Sequence, residues 1–260
     1  MSGCTTAYIT DSHKNVQFYQ NILMELEFEL KQDSSILDFG CGAGGEVYQL
    51  RKKHYNAVGC DIVPLYEEVQ TLCREEKLIK ENEIIFKTID INNYRIPFAD
   101  NSFDFVFSNQ VFEHVKNYPE TLAEIYRVLK PGACSLHFFP SKYRPVECHV
   151  FVPFAGIFQS YNYLKFWAFM GIRNAYQKGF NYKKTAAANH EFLHNRTMYY
   201  PKKKIAQYVL NQFKNISFIE HLFIKHSEGR LKKLYALSKK FPFIVSLIST
   251  FHTRVIFFTK

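Results

Sequence analysis

The sequence predicts an α/β fold, a parallel sheet with helices on both faces. Short apolar runs alternate with stretches of helical apolar spacing between residues 33 and 140. Three successive apolar runs end on a carboxylate, at Asp38, Asp61 and Asp90. A glycine-rich turn, "GCGAGG", joins the first run to the helical stretch after it.

Each element follows from its own pattern. Residues 11–31, "DSHKNVQFYQNILMELEFELK", carry helical spacing, with Asp11 or Ser12 as the expected cap. "SILDFG" reads as a strand, "GEVYQLRKKH" as a helix and "NAVGCD" as a strand. "YEEVQTLCREEKLI" is then a helix, "EIIFKTID" and "SFDFVFSN" are strands, "YPETLAEIYRVLK" is a helix and "ACSLHFFP" a strand. After Pro140 the alternation stops, and residues 141–200 are aromatic and basic. "PKKKIAQYVLNQF" restores a helix and "ISFIEHLFIK" a strand. "RLKKLYALSKKFPFIVSLIST" is helical but broken near Pro242. "RVIFFTK" reads as an edge strand.

Composition narrows the class. The chain has 260 residues, enough for one α/β domain with insertions. Its opening, "MSGCTTAYITDSHKN", lacks the basic start and apolar run of a signal peptide. Its six cysteines form no C-x-x-C pair. Both features lead us to expect a cytoplasmic location. The net charge of +9 is uneven: residues 1–140 hold 13 Lys and Arg against 20 Asp and Glu, and residues 141–260 hold 20 against 4. This is either a set of lysine-rich surface helices or a basic face for an anionic partner.

Gly40, Gly42 and Gly45 satisfy G-x-G-x-x-G, a dinucleotide fingerprint. Asp38 argues against that ligand. A carboxylate two residues before the first glycine would oppose a pyrophosphate at the helix N-terminus. A ligand with a sulfonium and an ammonium group, S-adenosylmethionine, reverses the sign. Asp61, 23 residues after Asp38, can bond ribose hydroxyls, and Asp90 can accept from an adenine amino group. Singly, such residues are more often helix caps or solvated loop residues.

With these residues in view, the chain resembles the class I S-adenosylmethionine-dependent methyltransferases. "ILDFGCGAG" and "VGCDI" look like the family's first two motifs. "IPFADNSFDFVFSNQVFEHV" and "AEIYRVLKPGACSLHFF" are similar to later blocks of the branch that includes quinone-biosynthesis methyltransferases. The resemblance implies a Rossmann-like, doubly wound, seven-stranded sheet with its last strand antiparallel. It implies S-adenosyl-L-methionine as cofactor, with Asp38, Gly40 and Gly42 at the methionine end and Asp61 with Ile62 at the ribose. Asp90 and Ile91 would meet adenine, and Asn109 the methionine or the methyl. Residues 1–260 then form a single domain: a helical segment 1–32, a cofactor core 33–140, a helical and aromatic lid 141–200, and helices and strands 201–260 that complete the sheet.

The acceptor is less defined. Groups near the C-terminal strand ends are Glu113, His114, Glu147 and His149. "QVFEHV" departs by one residue from the E-x-x-E-H pattern of some metal-assisted O-methyltransferases, with Gln110 at the first acidic position. His149 could supply the later imidazole of that pattern, so Glu113, His114 and His149 would make a thin site for a divalent cation; the missing acid favours instead no metal, with His149 as general base and Glu113 and His114 beside it. "PSKYRPVECHVFVPF" resembles "EPHV…PF" segments of methyltransferases found among enzymes of glycan and glycolipid assembly, with Cys148 in place of proline. The resemblance implies O-methylation of a small-molecule, sugar or lipid-linked hydroxyl. The aromatic and basic stretches are either sheet-packing helices or segments that meet an anionic membrane surface. An RNA acceptor is an alternative, although the N/D-P-P-[YF] loop of base-amine methyltransferases is missing. A non-catalytic scaffold with the same fold is another.

Overall fold

The computed structural model describes residues 3–227 and 229–260. Seven strands form one sheet: β1 (Ser35–Phe39), β2 (Asn56–Asp61), β3 (Phe86–Thr88), β4 (Phe103–Asn109), β5 (Leu129–Pro140), β6 (Ser217–Phe218) and β7 (Thr253–Thr259). Their order is β3-β2-β1-β4-β5-β7-β6. β1 to β5 pair in parallel, and β7 runs antiparallel to β5, as the resemblance implied. The strand order reverses beside β1, so the ends of β1 and β4 open a crevice of the kind that holds ligands in such sheets.

Helices cover both faces. Helices α1 (Gly3–Glu25), α2 (Gly45–Lys52) and α3 (Glu67–Glu75) bury Val16, Ile22, Val47 and Val69 against one side of the sheet. Helix α4 (Tyr118–Val128) buries Leu122, Ile125 and Val128 against the other. The segment after β5 folds around a small core of its own, Val150, Val152, Ala155, Leu164 and Leu193. It contributes helices α5 (Tyr161–Phe169) and α6 (Tyr182–Arg196). Helix α7 (Lys202–Leu210) then joins the α4 side through Ile205 and Val209.

Four expectations are corrected. Helix α1 starts before Asp11 and Ser12, so neither caps it; Ser12 lies within the helix and bonds Glu46, and the Asp11 side chain lies outside the described residues. The helix stops at Glu25 instead of continuing to residue 31, because Glu27 adopts φ 56° and Phe28 N–H turns back to Leu23 C=O. "ISFIEHLFIK" is mainly a helix: after the two residues of β6 comes α8 (Glu220–His226). Finally, β7 is not an edge, since β6 pairs with its outer side. The break at Pro242 separates α9 (Arg230–Lys240) from α10 (Phe243–Phe251), because proline cannot continue the first helix.

Candidate active site

β1 carries Asp38, almost wholly buried, into a turn of glycines. Gly40 (φ 81°) has no room for a side chain: a Cβ there would lie 2.3 Å from Val111. Gly44 (φ 84°), which the motif reading passed over, caps α2, and its Cβ would lie 2.5 Å from the Phe86 ring. Both positions need glycine for conformation and space together. Asp61 braces the turn. Its Oδ2 accepts from Gly42 N–H at 2.8 Å and its Oδ1 from Val63 N–H at 3.0 Å. The exposed apolar side chains of Ile62 and Ile91 follow β2 and β3. Asp90 is exposed and accepts from Asn92 N–H, a loop contact that leaves it accessible.

Sequence reasoning missed two neighbours of Asp38. Glu46, in the first turn of α2, is buried and accepts from Asn15 and Ser12 of α1. The buried hydroxyl of Tyr19 makes no hydrogen bond among the described residues. Burial, then the charges of Glu46 and Asp61, push the Asp38 carboxyl well above the usual carboxylate range. Only tertiary packing brings α1 and Tyr19 here, whereas Glu46 directly follows the glycine motif and was passed over.

Asn109 ends β4, and Gln110 follows with φ 59°. Val111 packs on Gly40, and a 3-10 turn, Phe112–His114, carries Glu113 and His114. Glu113 is fully buried, and among the described residues neither carboxylate oxygen has a hydrogen-bond partner. Burial pushes its carboxyl up to about 7. His114 Nδ1–H donates to Arg196 C=O at 2.5 Å, and its Nε2 lies 4.0 Å from Glu113.

The segment after β5 closes on this turn. Met198 N–H donates to Glu113 C=O. The His149 ring stands 4.9 Å from that of His114. Glu147 accepts from His149 Nδ1 (2.7 Å), from Tyr199 OH (2.5 Å), and from the amides of His149 and Val150 (both 2.8 Å). Burial would lower the His149 pKa, but contacts with Cys148 and Glu147 raise it to about 10. Against burial, His149 and Tyr199 hold Glu147 down at about 2. The Glu147 carboxylate facing Nδ1 thus favours the protonated ring of His149. Glu113, His114 and His149 each place a donor atom within 4.8 Å of the others.

A cavity of about 560 Å³ lies beside Asn109, walled by Tyr19, Phe138 and Phe223, with Arg144 and His252 at one side. Arg144 and His252 also border a second cavity of about 520 Å³, lined by Phe151, Leu247 and Phe251.

Residues 37–136 match the family described as a methyltransferase domain. Over those residues the chain is similar to a methyltransferase domain. It is 32% identical over 124 residues to a 24-methylenesterol C-methyltransferase of Arabidopsis thaliana, covering 47% of this chain and 33% of that protein. The chain thus spans about a third of that relative's length. The fold resembles that of phosphoethanolamine N-methyltransferase 2 of Haemonchus contortus, at 17% identity and a TM-score of 0.51 over 93% of this chain and 52% of the other. It also resembles geranyl diphosphate C-methyltransferase from Streptomyces coelicolor A3(2), at 12% identity and a TM-score of 0.51 over 100% of this chain and 85% of that one.

The cofactor of such a domain is S-adenosylmethionine, and the crevice fits it. A buried carboxylate, two acidic neighbours and an unbonded hydroxyl gather round the glycine turn. Carboxyls crowded this closely suit a cationic ligand and oppose a pyrophosphate.

Proposed function

We propose that the protein transfers the methyl group of S-adenosylmethionine to a hydroxyl oxygen of a small-molecule, sugar or lipid-linked acceptor. One observation carries this reading. The short segment from Asn109 to His114 touches the cofactor turn through Val111 and, three residues on, delivers Glu113 and His114 to His149. A place for a methyl donor and a group that can take a proton are thus adjacent. An oxygen acceptor needs both.

On this reading Asp38, Gly40 and Gly42 receive the methionine end, with the Tyr19 hydroxyl beside them. Asp61, its carboxylate fixed by two backbone amides, keeps lone pairs for the ribose hydroxyls. Ile62 and Ile91 sandwich the adenine, and Asp90 accepts from its amino group. Bound S-adenosylmethionine supplies an electrophilic methyl carbon on sulfonium. Asn109 orients the methionine end, His114 and His149 position the acceptor's hydroxyl, and the buried Glu113 carboxylate receives its proton. The segment 141–200 acts as a lid that shields them from water. A sterol, phosphoethanolamine and geranyl diphosphate, named for the similar proteins, support a small or lipid-like acceptor over RNA. So does the adjacency of the two cavities, which could seat a polar head and an apolar tail.

Calorimetric titration tests the cofactor half directly. S-adenosylhomocysteine should bind in the micromolar range and NAD should not bind. Asp61→Ala should weaken S-adenosylhomocysteine about 10-fold or more, the usual scale for hydrogen bonds to a charged group. Binding of NAD alone, or an unaltered affinity in Asp61→Ala, would overturn the assignment.

A further inference from the structure

Arg144 stands between the two cavities and lines both. Its backbone is pinned. Arg144 N–H donates to Ser141 C=O at 3.1 Å, and Ser141 N–H donates to His252 C=O at 3.1 Å. The turn after β5 is thus stitched to the junction of α10 and β7. The guanidinium is another matter. It is half-buried, and among the described residues it makes no hydrogen bond, ion pair or ring contact. A cation partly withdrawn from water without a counter-charge is costly, and its five donors form a fork shaped for an oxyanion.

The charge around it has one sign. Among the described residues no carboxylate lines the first cavity. The one in the second, Glu147, is already engaged by His149, Tyr199 and two backbone amides. His252 borders both cavities with Arg144, and its Nδ1 meets the Thr253 hydroxyl at 2.6 Å, which leaves Nε2 as the remaining nitrogen. Burial, then the Arg144 charge, holds the His252 imidazole below its usual range. An anion between the two groups would turn that repulsion into attraction. Beyond them the second cavity is walled by Phe151, Leu247 and Phe251, apolar side chains that stand exposed.

We propose that Arg144, with His252, binds a phosphate that joins an apolar tail to the methyl-accepting end of the substrate. The tail lies against Phe151, Leu247 and Phe251, and the accepting end enters the cavity beside Asn109. The position of Arg144 is what selects phosphate. A carboxylate ends a chain and would leave one cavity empty. A phosphodiester or diphosphate keeps its negative charge in mid-molecule, with a group on either side. That this ligand is the methyl acceptor rests on the methyl-transfer reading; the phosphate site itself does not.

Calorimetric titration of the full chain, with S-adenosylhomocysteine present and absent, tests this. The probes are a single-tailed lysophosphatidylglycerol below its micellar concentration, its deacylated form glycerophosphoglycerol, and uncharged octyl glucoside. We expect one equivalent of the lysolipid to bind, the deacylated diester to bind about 10-fold or more weaker, and the glucoside not to bind. Arg144→Met should weaken the lysolipid about 10-fold or more, the usual scale for hydrogen bonds to a charged group. Arg144→Lys should recover part of that loss, since an ammonium keeps the charge but not the fork. Leu247→Ser should weaken the lysolipid and leave glycerophosphoglycerol unchanged. Lys183→Gln, at an exposed lysine of the same basic half, should change neither. His252→Gln, which should weaken the lysolipid severalfold, serves if Arg144→Met does not fold.

An Arg144→Met variant that binds the lysolipid as tightly as the wild type overturns the proposal, and so does equal binding of the glucoside. Equal binding of glycerophosphoglycerol would mean a soluble phosphate ester and overturn the lipid assignment. Loss of S-adenosylhomocysteine from Arg144→Met, with thermal unfolding unchanged, would make Arg144 a contact of the cofactor's carboxylate and also overturn it. If the lysolipid binds through Arg144 but S-adenosylhomocysteine does not bind, only the methyl-transfer reading falls. If S-adenosylhomocysteine binds and the lysolipid does not, only the phosphate site falls.

Discussion

At the scale of single residues, His137 shows how a polar group can be wholly buried without serving chemistry. It lies in the middle of β5, against the rings of Phe112 and Phe258. Ser135 donates its hydroxyl proton to Val106 C=O at 2.9 Å, so it accepts from His137 Nε2–H at 2.7 Å. Ser108 then donates to Nδ1, also at 2.7 Å. One neutral tautomer satisfies every group, and a second ring proton would not be satisfied. Burial pushes the His137 pKa down to about 3. The unfolded imidazole titrates near 6.5, so the unfolded chain takes up the proton first as pH falls. The stabilisation is therefore complete above about pH 6.5 and shrinks by about 1.4 kcal/mol per pH unit between roughly 6 and 3. Urea unfolding at pH 7 and pH 5 should show the wild type losing about 2 kcal/mol more than His137→Gln, which cannot titrate. Equal losses would mean that His137 is not the group responsible.

At the scale of elements, what could be read from the sequence depended on whether burial has a local period. β1 to β4 and their helices pack one face or both on a regular sheet, so Ile36, Leu37, Val106 and Leu122 fall in recognisable patterns. Residues 141–200 showed no period because their segments pack mainly on one another around Leu164 and Leu193. In the candidate site, Asp38 and Asp61 were legible because strand ends mark them. Tyr19 and Tyr199 reach Asp38 and Glu147 from segments distant in sequence and left no local signal. α8 was misread for a related reason. Alternating apolar residues in "ISFIEHLF" suggest a strand, yet Glu220 opens a helix whose first turn favours an acid. The same carboxylate accepts from the buried Arg254 of β7 at 2.9 Å, and Arg254 also reaches Ser249 of α10 at 3.2 Å. The ion pair thus ties two helices to the strand that closes the sheet. Glu220→Gln strands a buried guanidinium and should cost about 3–5 kcal/mol in urea unfolding. Replacing the pair together, Glu220→Leu with Arg254→Met, should recover much of that loss, because buried pairs contribute little over apolar packing. A double variant as unstable as the single would show that the charges, and not the packing, hold α8.

At the scale of the whole molecule, charge and apolar exposure coincide. All of the net positive charge lies in residues 141–260, the segment after β5 together with the closing helices. That same part exposes Phe166, Phe169, Met170 and Tyr176 on the lid side and Phe243, Leu247 and Phe251 on α10. No helix among the described residues is long and apolar enough to cross a membrane. The apolar cavity between Phe151 and Leu247 opens in this region and adjoins the one beside Asn109 through Arg144 and His252. A lipid-linked acceptor would thus be drawn from a membrane surface, headgroup first, without the protein leaving it. Sedimentation with vesicles tests this. Binding should require an anionic phospholipid and weaken as salt screens the lysines, each worth about 1 kcal/mol near such a surface. Phe243→Ser with Leu247→Ser should weaken it further, about 10-fold or more, by removing apolar side chains worth about 1.5 kcal/mol or more each when buried. These residues are remote from the glycine turn, so S-adenosylhomocysteine affinity should stay unchanged and attest an intact fold. If the variant bound vesicles as well as the wild type, the exposed aromatics would not enter lipid. The basic half would then be only a charged surface.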